Sequence, residues 1–431
     1  MTWAGGVLET GPMQRIRRFL STKLDLLRDY ATAVSGSVGR LVFSLVYFVA
    51  LANTLTIAEF GLFATASAAG VMLSRILAFG FISALYRAAT VKPRLLGVFT
   101  GGFLALAILS LPVLAGASFG IWLIFFESEM APRVFLLLIM AETLLWRPVE
   151  AVIIVNNGMG RFGRAAFLAI LGTALRALAA LLFAFWTTRD LANWSGFYVA
   201  ANALSLVIAA GFFYPRQRLR FQPRLYLRRL ADCIYVAGAE MIFYLQMELD
   251  KLLVLAIGGP HLAGIYAIVM RLVDLTAIPV RTFTMMLVQR MMRAPEMLSR
   301  LKLRLGIEAG VFLVSTAGLL TLALVLRYEP ALLGRNVAEA APLVLLAVFI
   351  PGLRNLVEYQ AELLFARGQT LLRAVNLSLL AGLKALLLTA VLLHTTDSAD
   401  MVLLLNGVFA ALYLASCALT HSAIRMPARQ F

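Results

Sequence analysis

Cysteine is almost absent from this chain: Cys233 and Cys417 stand alone among 431 residues. They lie in separate apolar stretches without CxxC spacing, which excludes a disulfide framework and a cysteine zinc site. Histidine is nearly as scarce, and His261, His394 and His421 are too far apart to form HExxH, so no metal centre is expected. Charged side chains make up only 14% of the chain against 61% hydrophobic ones. So little charge cannot cover the exterior of a soluble protein of this size. Long polar connections are missing too, which leaves no room for a soluble catalytic domain; neither enzyme activity nor a cofactor is expected. No cleavable signal peptide is expected, because the first apolar run begins near Ala31 and its length suits a membrane span better than a short h-region.

What is present fits an all-α polytopic membrane protein. A hydrocarbon core of about 30 Å takes roughly 20 helical residues. Twelve apolar segments of that order occur at about 31–55, 61–84, 95–120, 133–156, 165–186, 195–214, 231–257, 265–287, 305–326, 341–365, 372–393 and 401–423. Alternate connections differ in charge: one set, which includes both termini, holds 25 cations and the other only 4. That asymmetry predicts cytoplasmic N- and C-termini. Met13 to Tyr30 carries Ile16, Phe19, Leu20, Leu24 and Leu27 at helical spacing among five cations, the pattern of an amphipathic interfacial helix.

The most basic stretch, Pro215 to Leu230, has six arginines and no acid. In a soluble protein it would suggest nucleic acid, but its apolar flanks make it a cytoplasmic loop facing anionic headgroups and a hinge between two halves. The expected organisation is therefore 1–30 amphipathic segment, 31–214 N-lobe, 215–230 basic connection, 231–423 C-lobe and 424–431 tail. Gly158-Met159-Gly160-Arg161-Phe162-Gly163 fits GxGxxG, yet it joins two membrane helices and so predicts a tight turn rather than a dinucleotide site.

The halves repeat. An offset of 208 places Val149-Glu150 on Val357-Glu358, Gly160 on Gly368 and Arg176 on Lys384, while Phe60-Gly61 pairs with Ala263-Gly264. Six helices per half in the same orientation imply an axis along the membrane normal, an arrangement of transporters that work by alternating access. Pro112, Pro148, Pro279 and Pro351 fall within spans and are candidate kinks.

Charges within the spans are costly, about 2.5–3.5 kcal/mol for an Arg or Lys at helix centre, and so face water or a partner. Arg147 with Glu150, Arg354 with Glu358, Arg271 with Asp274 and Glu248 with Lys251 are spaced to pair along one helix. Arg40, Arg75, Arg176 and Lys384 have no acid within a turn of their own helix, which makes them the leading candidates for gripping an anionic substrate, with Arg354 and Arg271 beside them. Guanidinium forks and an ammonium suit a diphosphate. Glu240, Asp274 and Glu358 are the candidates for coupling a cation, H+ or Na+.

Ala58-Glu59-Phe60-Gly61-Leu62-Phe63, Asp250-Lys251-Leu252-Leu253, Gly264-Ile265-Tyr266-Ala267 with Arg271-Leu272, and Ala366-Arg367-Gly368-Gln369 resemble the Wzx-type polysaccharide flippases of the multidrug/oligosaccharidyl-lipid/polysaccharide exporter superfamily. The resemblance covers nearly the whole chain. It implies two six-helix lobes around a central cationic cavity. It also implies movement of an undecaprenyl-diphosphate-linked oligosaccharide across the bacterial inner membrane, with membrane lipids, a polysaccharide polymerase and chain-length proteins as partners and no nucleic acid. A cation-coupled multidrug exporter of the same superfamily is the alternative, for which an acidic cavity would be expected.

Overall fold

The structure, a computed structural model, describes residues 39–293, 301–395 and 397–425. The predicted amphipathic helix at Met13–Tyr30 lies outside them. The described residues are helical with no strand, and their order gives twelve spans: α1 (Gly39–Thr54), α2 (57–91), α3 (Pro93–Phe125), α4 (132–158), α5 (Phe162–Ala184), α6 (Leu191–Phe213), α7 (223–258), α8 (260–293), α9 (Leu301–Tyr328), α10 (335–366), α11 (Thr370–His394) and α12 (Ser398–Arg425). Eight apolar helices among the described residues are long enough to cross a membrane, and nine with the bent α10. The rest follow because α1 is slightly shorter, α4 carries several charges, and α7 and α8 form one 71-residue run divided at Gly259, whose φ of 76° breaks it just before Pro260. The chain is a multi-pass membrane protein.

α2 begins four residues earlier than its apolar run suggests, because Thr56 and Glu59 close a capping box there. The spare oxygen of Glu59 accepts the Leu191 N–H at 3.1 Å and so ties the start of α2 to that of α6.

The repeat survives at the level of single hydrogen bonds. In the α4–α5 turn, Gly160 has φ 72°, Gly160 N–H donates to Asn157 O and Arg161 N–H to Asn156 O. In the α10–α11 turn, Gly368 has φ 75°, Gly368 N–H donates to Phe365 O and Gln369 N–H to Leu364 O. Every one of these residues is displaced by the same 208 positions. The GxGxxG stretch is accordingly a tight helix–helix turn.

The two lobes meet where α2 crosses α8. A Cβ on Gly264 would stand 2.0 Å from Ile57 O, and one on Gly61 2.4 Å from Gly264 N. Residues equivalent under a two-fold axis can touch only at the axis, so the crossing of these paired glycines marks it. Nearby, Asn53 Oδ1 accepts the Arg335 N–H at 3.0 Å and Asn336 Nδ2 donates to Leu55 O at 2.7 Å. A single apolar core, including Leu51, Phe60, Ile265 and Val337, runs through both lobes at this cation-poor end. Gly264→Ala should cost at least about 1–3 kcal/mol of overpacking, read as a lower unfolding temperature in detergent; an unchanged temperature would remove this crossing from the fold's support.

The basic connection is shorter than the loop expected over 215–230. Pro223 already starts α7, and residues 215–222 form an extended strap along α3. Gln217 accepts the Gly97 N–H at 2.7 Å and donates to Pro93 O at 3.2 Å. Gly97 leaves the room the strap needs, since a Cβ there would lie 2.2 Å from Arg218 O. Tyr226 and Cys233, early in α7, then pack with Phe81, Phe99 and Phe103 of the first half. The start of α7 thus belongs to the packing of the N-terminal half.

Candidate functional site

Three devices aim charged side chains inward. α2 leaves helical geometry just after Arg75: Ala78 and Phe79 take φ of 55° and 48°, strained for residues with a Cβ, and the freed Ala78 N–H donates to Ser110 Oγ at 2.9 Å. α4 widens into a π-turn over Ala141–Trp146 immediately before Arg147-Pro148, where proline supplies no N–H. α10 bends by 71° between Leu346 and Ile350, just ahead of Pro351 and Arg354. The equivalent helices α4 and α10 therefore both deform just ahead of an arginine, whereas the break in α2 has no counterpart within α8. Pro112 and Pro279, by contrast, sit within helices that continue through them.

Arg75 and Arg147, both buried, share two carboxylates. Arg75 lies 3.3 Å from Glu150 and 3.6 Å from Glu240; Arg147 lies 2.7 Å from Glu150 and 3.1 Å from Glu240. Glu240 comes from α7, so this quartet bridges the halves at mid-depth. The Arg75 guanidinium also covers the Tyr244 ring at 4.3 Å. The other half holds a counterpart. Arg281 lies 3.1 Å from Asp274 and 2.8 Å from Glu358, and Arg354 lies 3.2 Å from Asp274 and 3.8 Å from Glu358. Glu150 and Glu358, equivalent in the repeat, thus do the same work.

Arg176 and Lys384, also equivalent, are each matched with a buried acid. Arg176 stands 3.7 Å from Glu142, donates to Asn202 Oδ1 at 2.6 and 3.0 Å, and stacks on Trp146 at 4.2 Å. Glu142 further accepts from Ser67 Oγ at 2.8 Å and from the Tyr198 hydroxyl. Lys384 lies 2.8 Å from Asp250 and donates to Gln246 O at 2.9 Å, while Tyr266 donates to the same carboxylate at 2.7 Å. Glu248 and Lys251 pair along α7 as their spacing predicts.

Two expectations are corrected here. Arg75, Arg176 and Lys384 are not unpaired: each meets an acid from a different helix, a partner invisible to a search along one helix. Arg271 does not pair with Asp274, which is taken by Arg281 and Arg354; its Nη2 reaches across the halves to Ser44 Oγ of α1. Arg147, Arg281, Glu142 and Asp250 were absent from the sequence-derived site; spacing to Glu150 signalled the pairing of Arg147, while for the other three the only signal was that a charge within a span needs a partner.

Two interior cations remain without an ion pair among the described residues, Arg40 on α1 and Arg271 on α8. Arg40 is exposed, yet Arg176, Arg271 and Glu150 lie close enough to act on its charge. Its charge therefore lies beside charged residues of both halves. Seven carboxylates in these clusters (Glu142, Glu150, Glu240, Glu248, Asp250, Asp274 and Glu358) meet nine interior cations, so two positive charges are left where the halves face each other. All three acids expected to couple a cation are held between two arginines, and Glu240 alone of them is held by arginines of the other half.

No protein-family model matches the sequence, and no curated protein matches it. Solved structures do match. The inward-facing conformation of a multidrug resistance MATE family transporter of the MOP superfamily aligns with a TM-score of 0.61 at 15% identity, over 90% of this chain and 97% of that one. An aspartate-to-asparagine variant of the Vibrio cholerae MATE transporter VcmN aligns with a TM-score of 0.57 at 14% identity, over 91% and 94%. The chain has the twelve-helix, two-lobed fold of these transporters, arranged around a central cavity.

Proposed function

We propose that this protein is a flippase that moves an undecaprenyl-diphosphate-linked oligosaccharide from the cytoplasmic to the outer leaflet of the bacterial inner membrane. The observation that carries the reading is the surplus of two arginines, Arg40 and Arg271, in an interior whose other cations are neutralised by partners. A diphosphate entering between the lobes would gain charge-assisted hydrogen bonds from both, in a place poor in water. Only one free arginine per lobe grips it, so the anion can leave when the lobes part. Arg75, Arg147, Arg176, Arg354 and Lys384 form the paired surround and lend field rather than direct contacts.

In this mechanism the lobes, closed on each other at the cation-poor end, rock about the α2–α8 crossing. Sugars pass through the polar gap while the prenyl tail stays in lipid between the lobes. Glu240 is the acid placed to couple H+ or Na+, because taking up a cation there would weaken its hold on Arg75 and Arg147 and loosen the halves. The excess of cations in one set of connections puts both termini in the cytoplasm. A polysaccharide polymerase and chain-length proteins are the expected partners downstream.

Multidrug export is the second reading, favoured by the names of the solved structures that share the fold. A gene deletion separates the two. The flippase reading expects loss of surface polysaccharide and accumulation of lipid-linked units facing the cytoplasm. Normal polysaccharide with raised drug sensitivity would replace it with the exporter.

A further inference from the structure

On the arginine-rich surface, apart from the gap between the lobes, the ends of α4 and α6, the start of α5 and the strap line an open cavity of about 470 Å3. Arg161 of the α4–α5 turn, Arg164 of the first turn of α5 and Arg216 of the strap all line it, and no acid does. None of the three makes an ion pair among the described residues.

The walls are held in place by groups that serve no interior cluster. Buried Asn156 donates through Nδ2 to Phe213 O at 3.2 Å, which fastens the end of α6 to α4. Its carbonyl accepts the Arg161 N–H at 2.8 Å and folds the α4–α5 turn back beside the opening. α6 ends in a wide turn over Ala209–Phe213, closed by Tyr214 N–H on Ala209 O at 3.0 Å. Tyr214 and Gln217, hydrogen-bonded to Thr100 and to Gly97 and Pro93, then anchor the strap on both sides of Arg216. Three like charges brought to one fixed cavity repel one another, an arrangement that an anion relieves.

The surroundings say which anion. Phe162 and Phe212 are 67% and 79% exposed beside the cavity, and Phe167 stacks on Phe213 with ring centroids 5.5 Å apart. Phe side chains exposed beside cationic ones on an interfacial face bury at the boundary between headgroups and acyl chains. Guanidinium forks match phosphate oxygens. We propose that this cavity binds the phosphate headgroup of an anionic phospholipid of the adjoining leaflet. Bound lipid would join the strap to α4 and α5 and so stiffen the connection between the halves; the site is independent of the substrate that the interior carries.

The test uses the full chain, exchanged into phosphatidylcholine and titrated with cardiolipin or phosphatidylglycerol, with bound lipid counted by native mass spectrometry. One tightly held anionic lipid is expected. Arg164→Gln should weaken it about tenfold, the scale of one lost charge-assisted hydrogen bond, and Arg161→Gln and Arg216→Gln should act in the same direction. The triple variant should abolish retention. Arg133→Gln, at the opposite end of α4, should leave binding unchanged. Millimolar glycerol phosphate or inorganic phosphate should fail to displace the lipid. Parental affinity in all three single variants would overturn the site, and displacement by free phosphate at comparable concentration would reassign it to a soluble anion.

Discussion

Lys384→Met is expected to destabilise the protein by about 3–5 kcal/mol, the cost of leaving a buried acid without its counter-ion. The ammonium and the Asp250 carboxylate are 2.8 Å apart, and both side chains are almost wholly buried, at 4% and 2% exposure. Methionine keeps the volume but strands the carboxylate between Tyr266 and the α7 backbone. Asp250→Asn added to Lys384→Met should return most of the loss, because an amide in that position keeps the Tyr266 bond without a charge to bury. Thermal unfolding of the purified variants in one detergent checks both. A single variant as stable as the parent would show that Lys384 is not structural and would return it to the substrate-binding set.

Arg40→Gln and Arg271→Gln should behave in the opposite way, leaving stability close to the parent while substrate binding falls. Arg40 has no ion pair among the described residues to lose, and Arg271 gives up one hydrogen bond to Ser44. Each lost charge-assisted contact to a phosphate is worth about 1.5–3 kcal/mol, or roughly ten- to a hundredfold in affinity. The double variant should therefore fail to restore surface polysaccharide in a deletion strain at matched expression. Restoration by the double variant would remove both arginines from the site.

Much of this architecture could be seen in the residue pattern. Twelve apolar runs of adequate length leave little choice of fold class, and the repeat was visible in Glu150 with Glu358 and in Gly160 with Gly368. Those two glycines are legible for a physical reason: a left-handed φ at a helix end tolerates few other residues. The breaks were harder to see. Pro351 announces the bend in α10, but nothing local marks the strained Ala78 and Phe79, which are stabilised by Ser110 from the next helix.

The candidate site was legible in its residue types and not in its pairings. Spacing exposes partners one turn apart, such as Glu248 and Lys251. It cannot expose Glu142 with Arg176 or Asp250 with Lys384, which packing brings together from separate helices. The strap shows the same limit in reverse: six arginines without an acid look like a solvated loop, whereas Gln217 and the small Gly97 fasten it to α3.

Binding of farnesyl diphosphate to the purified protein, compared with farnesol and with a cationic dye, tests most directly whether the gap between the lobes takes a lipid diphosphate. The account predicts saturable binding of the diphosphate that the Arg40→Gln/Arg271→Gln variant loses, with no comparable binding of farnesol or dye. Dye binding that survives the double substitution, with diphosphate bound no better than farnesol, would contradict it.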